Sequence, residues 1–121
     1  MIDITIKDNM MIATLPIGFA DVGRLFHGNS DVIINKTMSN VLSIASDQTL
    51  VDVTKIPNIR IGDKVIIIGE DGNKRIDIID IMARTGLSAG TICTGLSKRL
   101  AKIYFYNGVP YRLNGYLESN P

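Results

Sequence analysis

The sequence predicts a mainly β chain of barrel-like build with one or two short helices. Its apolar residues come in short runs, several of which alternate with polar residues at a period of two. Turn-forming Asn, Asp, Gly and Pro separate these runs, and only residues 77–85 space their apolar side chains as a helix does.

The first run places Ile2, Ile4 and Ile6 on one side and Asp3, Thr5 and Lys7 on the other, the pattern of a half-buried strand. Asp8-Asn9 offers a turn, and residues 11–15 form a second strand closed by Pro16 and Gly18. Residues 20–30 read as loop, broken by Gly23, Gly28 and Asn29. Asp31-Val32-Ile33-Ile34 is a third strand with Asn35-Lys36 as its hairpin tip. Residues 40–45 and 49–53 are two more strands, parted by Ser46-Asp47-Gln48.

After Ile59 and Ile61, residues 64–68 form a strand that ends at a Glu70-Asp71-Gly72-Asn73 turn. In the helix, Ile78, Ile79, Met82 and Ala83 make the apolar face, and Asp77, Asp80 and Arg84 lie opposite. Asp80 and Arg84 have the i,i+4 spacing of an ion pair, and Gly86 is placed to cap the C-terminus. Ser88 starts a second short helix that runs to Cys93. Residues 100–106 and 109–113 flank Asn107-Gly108, the strongest hairpin signal in the chain. Without repeat or linker, residues 1–121 read as a single domain.

At 121 residues and 45% hydrophobic, the chain can bury a real core. A net charge of +1 with 21% charged residues argues against disorder and against a phosphate-binding tail. One Cys and one His exclude a four-ligand zinc site and an intrachain disulfide, as suits a cytoplasmic protein. No apolar run approaches the roughly 20 residues of a membrane helix, and the start lacks the sections of a signal peptide.

Single-residue chemistry is sparse. His27 lies in a Gly-rich loop, where a histidine is ordinarily just solvated. Cys93, within an apolar stretch, reads as a small buried residue rather than a nucleophile. Asp47 and Asp52 suggest an acid pair, but carboxylates at turns more often accept local hydrogen bonds. Gly69-Glu70-Asp71-Gly72 lacks the ending of a phosphate loop, and its carboxylates would repel phosphate. Lys98, Arg99 and Lys102 beside Tyr104, Phe105 and Tyr106 mix charge with stacking surface. That mix suits a nucleic-acid module, whose binding would be steeply salt-sensitive. Alternation more simply makes Ile103 and Phe105 core residues, with no nucleic acid bound.

Four segments, in order, resemble the C-terminal domain of the alanine racemases. Ala13-Thr14-Leu15-Pro16-Ile17-Gly18-Phe19-Ala20-Asp21 is similar to that family's T-x-P-x-G-Y-A-D-G signature. Ser46-Asp47-Gln48, followed by Leu50-Val51-Asp52-Val53-Thr54, stands where the family has a Met-Asp-Gln strand turn. Residues 61–72 look like its G-D-x-V-x-x-x-G-x-x-G strand and turn. Gly95-Leu96-Ser97-Lys98-Arg99-Leu100 with Ile103-Tyr104 is similar to G-I-S-x-R-V-P-R-x-Y.

The resemblance implies a β-barrel-like domain that follows a (β/α)8 barrel in the full enzyme. That barrel carries pyridoxal phosphate on a lysine, and in a homodimer the C-terminal domain of one subunit closes the site of the other. It also implies that Phe19, Ser46 and Asp47 line the substrate pocket, and that Lys98 meets the cofactor phosphate. Phe19 replaces the signature tyrosine, Ser46 a methionine that contacts substrate through its backbone, and Lys98 a tyrosine found in some members. A barrel of roughly 200 or more residues does not fit in the chain. The cofactor lysine of the family is therefore expected to be missing. So is its catalytic tyrosine, which in the family stands about a strand-length before the signature, because no tyrosine precedes Tyr104 here.

The resulting expectation is a domain with no catalytic residue and no metal, inactive alone, binding pyridoxal phosphate only if a barrel partner supplies the lysine. With that partner it would complete a racemase site that supplies D-alanine for the cell wall. The alternative is a non-catalytic binding or self-associating module that reuses the fold. Neither reading needs a membrane.

Overall fold

A computed structural model of the chain describes residues 6–112. Ile2 and Ile4 of the expected first strand lie outside the described residues, and Ile6 is exposed. Five strands build one antiparallel sheet: β1 (Ile12–Leu15), β2 (Asp31–Ile34), β3 (Thr37–Ile44), β4 (Thr49–Asp52) and β5 (Val65–Ile66). Their spatial order is β1-β4-β3-β2-β5.

The long strand β3 explains why this sheet curls. Its first half pairs with β2, from Thr37 opposite Ile34 to Asn40 opposite Asp31, and its second half pairs with β4. The register to β4 shifts between Val41 and Ser43. A bulge of this kind bends a strand and increases its twist, so the sheet rolls into a half-barrel with its concave face available for a core. Asn35 and Lys36 turn from β2 into β3 with φ of 47° and 61°, the left-handed pair that a two-residue hairpin requires.

Two small hairpins complete the β structure. β6 (Gly69–Asp71) pairs with β7 (Lys74–Ile76), and β8 (Ile103–Tyr106) pairs with β9 (Val109–Arg112). The apolar run at 64–68 is therefore not one strand: it pairs with β2 only at Val65 and Ile66, bends, and re-enters as β6. The turn after β6 is narrower than expected, and β7 was hidden by its charged Lys74-Arg75 start.

Three short helices occur, α1 (Phe19–Val22), α2 (Ile78–Thr85) and α3 (Ala89–Thr94). α1 stands where the sequence reads as loop, because one helical turn is too short to show a 3.6-residue period. Asp77 caps α2 by accepting the Asp80 N–H, and Gly86 ends it in the left-handed conformation. The buried face of α2 is Ile78, Ile81 and Met82, not the expected Ile78, Ile79, Met82 and Ala83: Ile81 is fully buried, while Ile79 is 70% exposed. Counting from Asp77 as cap, positions 78, 81 and 82 fall on one side. Arg84 turns inward rather than forming the expected surface pair with Asp80, and its Nη2 donates to the Leu25 carbonyl at 2.8 Å.

The core fills the curl of the sheet. Val32, Ile33 and Ile34 are all buried, as befits the strand between β3 and β5, and Leu15, Val51 and Val53 join them. α1 and the turns after it add Val22, Leu25 and Phe26, α2 adds Ile81, and α3 adds Ile92. β8 lies outside this core. Ile103 and Phe105 were expected to be buried but are 62% and 68% exposed, because the helices already cover the sheet and β8 pairs only with β9 among the described residues.

Candidate functional site

The chemistry-bearing positions gather around α1. Pro16 and Gly18 end β1, and the chain turns at once into the helix. The amide of Phe19 donates to the Ala45 carbonyl at 3.0 Å, and the amide of Ala20 donates to the Ser46 carbonyl at 2.8 Å. The turn that receives them is closed by Ala45 N–H donating to Gln48 O at 2.8 Å. Thr49, buried at the start of β4, donates its hydroxyl to the Ile17 carbonyl at 2.7 Å. Phe19, Ser46 and Asp47 are thus brought to one place by main-chain bonds rather than by their own side chains.

Gly18 permits this approach. A Cβ there would lie 2.3 Å from the Ala45 carbonyl oxygen and 2.7 Å from the Asp47 nitrogen, well inside van der Waals contact. Both are backbone atoms and cannot swing aside. The signature glycine is therefore required by proximity, its own backbone being extended.

The far side of α1 meets the 97–99 stretch. Ser97 N–H donates to the Asp21 carbonyl at 2.7 Å, and Arg99 Nε lies 3.7 Å from Asp21 Oδ1. Asp21 Oδ2 accepts the Gly18 N–H at 3.0 Å. Just beyond the helix, Gly23 has φ of 56°, and a Cβ there would sit 3.1 Å from the Gly95 carbonyl oxygen. The chain turns at Ser97, whose carbonyl accepts Leu100 N–H and whose hydroxyl accepts Arg99 N–H. Lys98, between these anchored neighbours, is exposed. All four positions expected from the resemblance, Phe19, Ser46, Asp47 and Lys98, consequently stand on or directly against the two sides of α1. Phe19 is 49% exposed, so its ring is offered to whatever lies over this face.

Sequence reasoning missed Asp21, Gly18, Gly23 and Arg99 as organisers of the junction. One signal was present: Asp21 stands three residues after Gly18, the spacing at which a carboxylate reaches back to a cap N–H.

The remaining candidates fall apart as a group. Asp52 accepts both the hydroxyl and the N–H of Thr54, at 2.6 and 2.9 Å. Those bonds hold its pKa below the usual 3.8, the hydroxyl contributing most. It is a local turn acceptor at the opposite end of β4 from Asp47, so the two make no acid pair. His27 is exposed. Cys93 is exposed rather than buried, because α3 turns Ile92 to the core and its neighbour outward. Among the described residues no group of three His, Cys, Asp or Glu side chains is placed to hold a metal, and no helix is long and apolar enough to cross a membrane.

Pyridoxal phosphate asks for two different things, cations at its phosphate and an enclosed lysine at its aldehyde. Lys98 and Arg99, adjacent on a constrained turn, suit the first. Every lysine of the chain is exposed or half-buried, so no residue here suits the second.

A curled antiparallel half-barrel, carrying a glycine-dependent junction between one helical turn and one strand turn, defines a mainly β domain. The chain belongs to the alanine racemase C-terminal domain family, whose profile matches residues 2–104. Alanine racemase 2 of Caldanaerobacter subterraneus is 38% identical over 109 residues, covering 88% of this chain and 28% of that protein. The alanine racemase of Clostridium novyi is 38% identical over 110 residues with the same coverage. Among solved structures, alanine racemase of Clostridium difficile superposes with a TM-score of 0.77 at 31% identity, over 90% of this chain and 28% of that one. The Bacillus anthracis enzyme with bound L-Ala-P gives a TM-score of 0.79 at 27% identity, over 89% of this chain and 28% of that one. The chain spans little more than a quarter of the length of the curated relatives it matches.

Proposed function

We propose that the chain serves as the C-terminal part of a pyridoxal-phosphate amino-acid racemase, closing the pocket mouth of a (β/α)8 barrel and supporting cytoplasmic D-alanine supply for the cell wall. The observation that carries this reading is the α1 junction, which holds Phe19, Ser46 and Asp47 on one surface with the Lys98 stretch behind it. In this role the Phe19 ring covers the pocket mouth and excludes water. Ser46 meets the substrate carboxylate through its amide, since its carbonyl is taken by Ala20. Asp47 borders the same pocket, and Lys98 approaches the cofactor phosphate.

Racemisation removes a proton from one face of Cα and returns one to the other. Pyridoxal phosphate, when bound, supplies the electron sink for that exchange. This chain offers neither base: the resemblance puts the catalytic tyrosine ahead of the signature at residues 13–21, where this sequence has no tyrosine, and the cofactor lysine belongs to the barrel. It binds and orients, while the proton is moved by the barrel lysine and by a catalytic tyrosine that this sequence does not supply.

The test is to mix the purified chain with a (β/α)8 racemase barrel that keeps the family's catalytic tyrosine but lacks the rest of its C-terminal domain, and to follow L-alanine by chiral chromatography. The reading expects D-alanine from the mixture and none from either part alone. Borohydride trapping of pyridoxal phosphate on a lysine of this chain alone would overturn it. A silent mixture, with the chain self-associating in sedimentation, would favour the rival reading of a non-catalytic binding or oligomerisation module, to which the missing hydroxyl at Phe19 points.

A further inference from the structure

We infer that Asp21 is a positioning residue that holds the turn at residues 45–48 and the Lys98 stretch in one fixed arrangement. The chemical meaning of that role rests on the racemase reading above; its geometry stands on the hydrogen bonds of α1. Asp21 is 7% exposed, and it is attached in three directions at once. Its Oδ2 accepts the Gly18 N–H at 3.0 Å, its carbonyl accepts the Ser97 N–H at 2.7 Å, and its Oδ1 faces Arg99 Nε at 3.7 Å. Gly18 is in turn pressed against Ala45, Ser46 and Asp47 with no room for a Cβ. A chain of direct contacts therefore runs from Asp47 through Gly18 and Asp21 to Ser97 and Arg99, the two neighbours of Lys98.

The charge on Asp21 distinguishes this role from simple capping. An amide oxygen would still accept the Gly18 N–H, though less strongly than a carboxylate does, and burying a carboxylate costs free energy that an amide avoids. Toward Arg99 the negative charge is the whole interaction. The carboxylate attracts the exposed Arg99 side chain toward α1, and with the Ser97 bond to the Asp21 carbonyl this biases the direction in which the adjacent Lys98 leaves the turn. Asp21 touches neither substrate nor cofactor in this scheme; it acts through Ser46, Asp47 and Lys98.

Two substitutions separate the two duties. Asp21→Asn keeps the acceptor for Gly18 and removes the charge facing Arg99, whereas Asp21→Ala removes both. In the reconstituted mixture, Asp21→Asn should weaken pyridoxal-phosphate affinity about tenfold with kcat nearly unchanged. Asp21→Ala should lower kcat as well, by about tenfold to a hundredfold, the scale expected when reacting groups shift by an ångström. If kcat and cofactor affinity fall together in both variants, tracking the fraction folded, the residue is merely structural and the inference fails.

Amide hydrogen exchange on the chain alone gives a readout independent of activity. Asp21→Ala should raise exchange at Phe19, Ala20 and Ser97 at least tenfold while leaving Gly86, bonded to Met82, at its original rate. Exchange that rises everywhere, or that leaves Ser97 unchanged, would overturn the inference. A wild-type mixture that makes no D-alanine sinks the racemase reading, and the exchange result then decides the positioning role by itself.

Discussion

At the α1 junction, one turn of helix is gripped from two sides by backbone, through Ala45 and Ser46 in front and Ser97 and Gly95 behind. The β8–β9 hairpin is turned by Asn107 and Gly108, both at positive φ, yet among the described residues it pairs only with itself. Its Ile103, Phe105, Tyr106 and Val109 are exposed. The two segments are thus fixed by different means. The junction owes its position to close packing and saturated main-chain groups, and the hairpin owes its shape to its turn and its own two-strand ladder. The family match ends at residue 104, inside β8, so the tightly held region falls within it and most of the hairpin falls outside.

Four substitutions test this contrast. Gly18→Ala should have the largest effect, about 3 kcal/mol of stability lost in urea unfolding, because its Cβ must displace backbone. A loss below the scatter of surface substitutions would show that the 45–48 turn yields freely. Thr49→Val should cost about 1.5 kcal/mol in the same measurement, since it leaves the Ile17 carbonyl without its hydroxyl donor.

A smaller effect is expected from Asp52 and is visible only in acid. Its folded pKa is lowered by Thr54, so its contribution is complete above the unfolded value of 3.8 and is lost as pH falls through the lower folded value. Thr54→Val should therefore flatten the acid limb of a stability-against-pH curve below about pH 4; an unchanged limb would deny the linkage. Phe105→Ser should change stability least, by no more than about 0.5 kcal/mol. A larger loss would mean that the hairpin packs in solution against something that the isolated chain does not display.

The fold was readable where physics is local. The short apolar runs of β1 to β4, the Asn35-Lys36 and Asn107-Gly108 turns, the Asp77 and Ser88 caps and the Gly86 stop each follow from a few neighbouring residues. What stayed hidden depends on distant partners. Nothing near Leu42 announces that β3 changes neighbour there, and nothing near Phe19 announces that its amide is taken by Ala45. Phe105 misled for the complementary reason: alternation identifies the two faces of a strand but not whether either face is covered. For the site, the resemblance pointed to Phe19, Ser46, Asp47 and Lys98, while Asp21 emerged only once its bonds to both sides of α1 were seen.

The junction is written in main-chain atoms, and this separates its frame from its fittings. The peptide groups at 19, 20, 45 and 46 are locked by bonds that any side chain other than proline at those positions leaves intact, while Gly18 refuses exchange. A protein engineer therefore has a graft site here. Phe19→Tyr places a hydroxyl on a half-exposed ring without disturbing the bonds that hold it, and Ser46→Met exchanges a side chain at an exposed turn. The same scaffold can be refitted for a different chemistry one outward-facing group at a time.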